Sequence, residues 1–170
     1  IDENTEFHHL FDKLHWFAMA SYTTGFEYRY KLGQQFLEQQ KINRDPQYLE
    51  MVHQFIKNDL IFRFPSQYSA LSIPEWFSRF AKTDDHLTSQ ISQLKQHIGN
   101  YKFLNGEDQY FIFEHLYSQR EYRVDKKSFG QIGETGLKTG QLYQASFVQW
   151  QDKWHLVGVF NSRFRPSFLT

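Results

Sequence analysis

Three residues near the start of the chain, His8, Asp12 and His15, stand at i, i+4 and i+7. On a helix all three project from one face. Two imidazoles and a carboxylate so placed suit a divalent cation with open coordination positions. His9 is adjacent but points elsewhere on a helix. The competing reading is a solvated face on which Asp12 pairs with a neighbouring histidine. No H-E-x-x-H and no second metal motif accompanies the trio. No metal is therefore expected, and His8, Asp12 and His15 remain the set to test.

Gly130, Gly133, Gly136, Lys138, Thr139 and Gly140 invite a phosphate-loop reading. That loop needs Gly directly before Lys-Ser/Thr at the opening of a helix, so that amides and ammonium converge on phosphate. Here Leu137 precedes Lys138 and a strand pattern follows, so the stretch reads as a connector. Asp84, Asp85 and His86 are neighbours on a helix and cannot converge on one substrate atom. Glu114 and His115 fall on opposite faces of a strand. No serine sits in a G-x-S-x-G elbow. No cofactor is expected, and the balance leans away from catalysis. An enzyme whose site assembles between the two halves of the chain stays as an alternative, because triads gather from distant segments.

The second half interleaves cations with rings. Tyr110, Phe113, Arg120, Tyr122, Arg123, Trp150, Lys153, Trp154, Arg163 and Arg165 are the candidate binding residues. Rings can stack bases while Arg and Lys hold phosphates, which points to single-stranded nucleic acid. The same residue types, Arg with Tyr and Trp, dominate protein interfaces. Charge decides between the two. Lys plus Arg equals Asp plus Glu, 19 each; residues 101–170 carry 9 basic and 7 acidic residues, residues 1–100 carry 10 and 12. Nucleic-acid modules are usually far more basic. A non-catalytic protein-interaction or structural domain of a larger polypeptide is therefore the first expectation. Its partner is an unknown protein or the rest of its own chain, and nucleic acid stands second.

The chain has no cysteine, which excludes disulfides and thiolate metal sites. No apolar run is long enough to span a bilayer, so no membrane is expected and a soluble, cytoplasmic protein is. A start on Ile1 reads as a processed or partial piece of something longer. One hundred and seventy residues, 19% of them aromatic, suffice for a core without staples.

The elements that must position these side chains follow from periodicity. Apolar residues recur at three and four over residues 5–24, Gly25 interrupts, and the pattern resumes through Leu37. Asp45-Pro46 opens a helix that ends before Pro65. A short helix starts at Pro74 and carries Trp76, Phe77 and Phe80. Thr83 caps a further helix, whose stripe Leu87, Ile91, Leu94 and Ile98 stops at Gly99. Beyond it the period becomes two. Gln109–Leu116 and Arg120–Val124 form one hairpin. Leu142–Trp150 and Trp154–Phe160 form another around Gln151-Asp152-Lys153, with Trp150 and Trp154 paired across the turn. Neither strand of this second hairpin has a wholly polar face, which predicts burial on both sides. Residues 161–166 add a short edge strand.

The expected fold class is α+β. A helical subdomain of four to five helices, residues 1–100, packs on a small antiparallel β subdomain, residues 101–170, an SH3- or OB-like β-barrel or bent sheet.

Overall fold

The computed structural model describes residues 1–20, 26–39, 46–63, 70–130 and 136–158. Five α-helices come first and five strands follow, so the chain is α+β. It divides into two compact units, Ile1–Lys95 and Gln96–Thr170. Among the described residues no helix is long and apolar enough to cross a membrane.

In the first unit, α1 (Phe7–Ala20), α2 (Phe26–Gln39), α3 (Pro46–Phe62), α4 (Ile73–Ser78) and α5 (Asp85–Ser92) follow in order. The α1 stripe Phe7, Leu10, Leu14 and Ala18 is buried, as spacings of three and four require. Phe11 stacks on Phe62 of α3 with centroids 6.0 Å apart, and Phe17 meets Phe77 of α4 edge-on at 5.4 Å. Leu60, Ile61 and Phe62 are all buried although consecutive. Successive helix positions are about 100° apart, so more than one face of this helix end is covered.

Local chemistry sets the short helices. Ser72 caps α4 in a capping box: Glu75 N donates to Ser72 Oγ, and Ser72 N donates to the Glu75 carboxylate. Pro74 occupies an early helical position and Phe80 lies beyond the last turn. Asp84, not Thr83, caps α5, accepting from Leu87 N at 2.8 Å. The expected continuation of this helix to Ile98 does not occur. It stops at Ser92, and β1 (Gln96–Gly106) begins four residues later. Seven β1 positions, Gln96 to Lys102, pair with β4 (Leu142–Trp150). That cross-strand ladder overrides the local apolar spacing of Leu94 and Ile98.

β1 serves two neighbours. Its first half pairs with β4 and its second half, Tyr101 to Gly106, with β2 (Tyr110–His115). A bulge between Phe103 and Asn105 separates positions that face the core from those that follow. β2 continues by a hairpin into β3 (Glu121–Asp125), then a 3₁₀ turn, Lys126–Phe129, and β4 continues into β5 (Lys153–Leu156). The pairings run β1-β2-β3-β5-β4 and return to β1. The expectation of a wholly antiparallel sheet is overturned, because β3 and β5 pair in parallel through Val124 and Trp154. The reason is topological. Five strands cannot close a ring with every neighbour antiparallel, since an odd ring leaves one pair aligned. That pair is a single bridge, so the sheet is a curled mixed sheet closed at one point.

Inside it lie the odd residues Tyr101 and Phe103 of β1, Phe113 of β2, and Tyr143, Ala145 and Phe147 of β4, with Tyr122, Val124 and Trp154 opposite. Phe129 of the 3₁₀ turn seals them, stacked on Phe113 at 5.9 Å. The outward residues Ser146, Val148 and Trp150 of β4 are buried too, so this strand is covered on both sides as its composition predicts.

The β4–β5 turn differs from expectation. It has two residues, not three. Gln151 and Asp152 both adopt positive φ, 48° and 63°, and Lys153 pairs with Trp150. Such a turn matches the twist of the strands it joins. Trp154 consequently pairs with Gln149, one position out of step with Trp150. Side chains alternate along a strand, so the two tryptophans face opposite sides and do not pair across the turn. The proposed edge strand at 161–166 lies outside the described residues, as do Asp45 and Gly25.

Candidate recognition site at one end of the curled sheet

The β2–β3 hairpin ends in a turn that holds itself rigid. Gln119 N donates to His115 O at 2.9 Å, and Leu116 N donates to Asn100 O of β1 at 2.9 Å. Ser118 N donates to His115 Nδ1 at 3.2 Å, and Ser118 Oγ lies 2.8 Å from the same nitrogen. A nitrogen that accepts from the amide carries a lone pair, so the hydroxyl donates to it as well. Gln119 sits at φ 56°, a left-handed conformation that costs a non-glycine residue about 1 kcal/mol or more. Four hydrogen bonds over five residues outweigh that cost.

Tyr117, Ser118, Gln119 and Arg120 are all exposed in this turn, and two of them carry large side chains. Tyr117 is 66% exposed, its ring 6.0 Å from that of His115. Arg120 lies over the end of the interior, its guanidinium carbon 5.1 Å from the Tyr122 ring and 5.6 Å from the Trp154 ring. Each such contact is worth roughly 0.5–1 kcal/mol at an exposed site. Among the described residues no carboxylate stands within ion-pair distance of Arg120. His97 joins the same end, edge-on to Trp154 at 4.8 Å. Beneath them the Tyr101 hydroxyl donates to His97 O at 2.7 Å. Burial pushes the Tyr101 phenol well above its ordinary pKa, helped by Tyr122 and opposed by Arg120, so it stays a donor.

Arg120, Tyr122 and Trp154 are thus brought together. The other candidates are not. Arg123 lies over Tyr110 at 5.0 Å and is bound to Glu107 at 2.6 Å. Phe113 is fully buried in the interior. Trp150 is buried on the opposite face from Trp154, and Lys153 is exposed beside the turn. Arg163 and Arg165 lie outside the described residues. On the outer wall of β2 and β3, Glu114 stands opposite Glu121.

His8, Asp12 and His15 do not form the converging group that their spacing suggests. His15 is half-buried and its pKa is lowered, first by burial, then by Lys57 of α3, with Asp12 opposing. A nearby ammonium is a poor neighbour for a metal ion. The donors that do converge among the described residues are Glu6, His8 and His9, mutually within 4.8 Å. His9 does not point away from His8 as its position implied, for the two rings lie 4.0 Å apart. All three are exposed, and they stand at the positive end of α1, which opposes a cation.

Sequence reasoning missed the Ser118–His115 pair and the stacking of Arg120. No motif marks either, because the first depends on turn geometry and the second on the β3–β5 bridge. Comparison of the chain with protein-family models, with curated proteins and with solved structures finds no match in any of the three.

Proposed function

We propose that the β unit is a non-catalytic protein-recognition module, whose contact surface is the turn carrying Tyr117 and Arg120. The observation that supports this most is Arg120 laid on Tyr122 and Trp154 beside the exposed Tyr117. Arg and Tyr are the residue types that anchor interfaces, and a locked turn loses little entropy when it binds. Affinity capture from the protein's own cells tests it. Wild type should retain a partner that the Tyr117→Ala/Arg120→Ala double variant loses while circular dichroism shows the variant still folded, its Tm lowered only by the lost ring contacts. Identical partners for both would overturn it.

We further read the curled sheet as an OB-type small barrel rather than an SH3-type one. Its strand order and the 3₁₀ turn between β3 and β4 support that. Fold likeness carries no function, but it favours single-stranded nucleic acid as the second reading, because OB folds bind oligonucleotides over strands 2 and 3. The charges on that wall oppose it here: Glu114 faces Glu121, and Arg123 is held by Glu107. Phe113 and Tyr122, which would have to stack bases, are interior. Fluorescence anisotropy with a labelled oligonucleotide at low salt should show no binding at tens of micromolar protein; salt-dependent binding would favour this second reading.

A further inference from the structure

Resting on that recognition surface, we propose that Arg120 is the receptor for a carboxylate on an acidic protein segment, gripped at the end of the curled sheet between His97 and the 115–120 turn.

The reasoning begins with the guanidinium. Its carbon lies over two rings, Tyr122 and Trp154, at 5.1 and 5.6 Å. Ring faces attract the cation without pairing its N–H donors to a carboxylate, so donors remain for a planar two-oxygen acceptor. Elsewhere in this unit the same chemistry is already satisfied within the chain. Arg123 stacks on Tyr110 and also binds the Glu107 carboxylate at 2.6 Å. Arg120 repeats the first half of that arrangement, an arginine on a ring, and lacks the second half among the described residues. An external carboxylate would complete it.

The surroundings suit one carboxylate at a time. β-strand alternation turns Glu121 outward and Tyr122 inward, and the exposed Arg120, just before the strand, lies toward the Tyr122 and Trp154 rings. His97 and His115 stand at the same end, each against the interior tyrosine or tryptophan rings, and both are polar without being acidic. Tyr117 supplies an exposed aromatic face on which the backbone or an apolar neighbour of the acidic residue can rest. The Glu114–Glu121 pair on the adjacent wall makes an extended polyanion unfavourable. A segment with one or two acidic residues in an otherwise neutral context is the better match.

The positions are also pre-set. Arg120 N donates to Ser118 Oγ at 3.4 Å, and Ser118 is itself held by His115. The backbone that carries the guanidinium is therefore fixed before any ligand arrives, which lowers the ordering cost of binding.

NMR on the isotope-labelled full chain tests the proposal. The probes are a short neutral peptide with one central Glu, the same peptide with Gln in its place, and free acetate. The Glu peptide should shift the Arg120 Nε–H and Trp154 indole resonances and saturate. The Gln peptide should bind roughly tenfold more weakly, since a charge-assisted bidentate pair is lost. Acetate should shift the same two resonances only at much higher concentration, because it lacks the segment that rests on Tyr117. Arg120→Lys keeps the charge and loses the fork, and should weaken the Glu peptide several-fold while the Tm stays put. Equal binding of Glu and Gln peptides, equal binding by Arg120→Lys, or shifts confined to other residues would overturn the carboxylate assignment. A partner captured through Tyr117 with no dependence on Arg120 would overturn it too, and would leave the recognition surface standing.

Discussion

Gly99 lies directly beneath His115: a Cβ placed on Gly99 would stand 2.8 Å from both Cδ2 and Nε2 of the ring. The imidazole occupies the room that a side chain would take. Gly99 was expected to stop a helix, and it instead sits inside β1, paired with Ala145. Its role is to admit the ring whose Nδ1 latches the 115–120 turn.

Gly99→Ala should therefore cost about 1–3 kcal/mol, the range for overpacking a fitted site. The ring must move or the strands must part. Urea denaturation measures the loss, and the Ser118 amide resonance should shift with it. An unchanged midpoint together with an unshifted Ser118 would show that His115 does not depend on this space.

The β4–β5 turn should tolerate improvement. Gln151 and Asp152 are both left-handed; Asp tolerates that conformation, but Gln is not a type such a turn favours and Gly is preferred at the second position. Replacing them by Asn and Gly, Gln151→Asn with Asp152→Gly, should raise stability by about 1 kcal/mol. A lower Tm in thermal melts would mean that the native pair makes compensating contacts worth more than the strain.

His155 makes stability depend on pH. It is 8% exposed, and burial pushes its pKa down to about 4, with Asp125 opposing that shift. Its unfolded value is near 6.5, so between about 6.5 and 4 the unfolded chain binds the proton that the folded one refuses. Stability contributed by the neutral ring is whole above pH 6.5 and declines as the pH falls to 4. The full effect is on the order of 3 kcal/mol at most. His155→Gln should flatten the stability–pH curve in that window relative to wild type, as read by urea melts at pH 7 and pH 4.5. Parallel curves for the two proteins would place the titration elsewhere.

Ser118 and His115 stand at the distance of a nucleophile and its base, 2.8 Å. A catalytic pair also needs a group that orients the base and donors for the oxyanion. Among the described residues, the hydrogen bonds of His115 and Ser118 run back into their own turn. Ser118→Ala should lower stability by about 1 kcal/mol through the lost bonds. A fluorophosphonate probe should leave Ser118 unlabelled. Stoichiometric labelling that His115→Ala abolishes would establish an activated serine and replace the recognition reading with a catalytic one.

Three of the four hairpin strands were legible because alternating apolar residues must face a core, while β5 stops at Leu156, short of the expected Phe160; the α1 stripe was legible because spacings of three and four must face a core as well. The end of α5 was not. Leu94 and Ile98 continue a helical spacing, and only the distant partners Leu142 to Val148 reveal that the backbone there is extended. The register of Trp150 and Trp154 turned on a single residue of turn length, which the three polar residues Gln151, Asp152 and Lys153 left undetermined. At the site, Arg120, Tyr122 and Trp154 could each be picked out by type. Their assembly rests on the one bridge between Val124 and Trp154, a non-local contact that no local spacing encodes.

Photo-crosslinking from position 117 tests the central claim most directly. A benzoylphenylalanine in place of Tyr117, in the full chain in its own cells, should yield one discrete protein adduct, and Arg120→Ala should abolish it while the chain stays folded by circular dichroism. A discrete adduct that survives the loss of Arg120 would remove only the carboxylate assignment, whereas a diffuse smear of adducts, or none, would contradict the account.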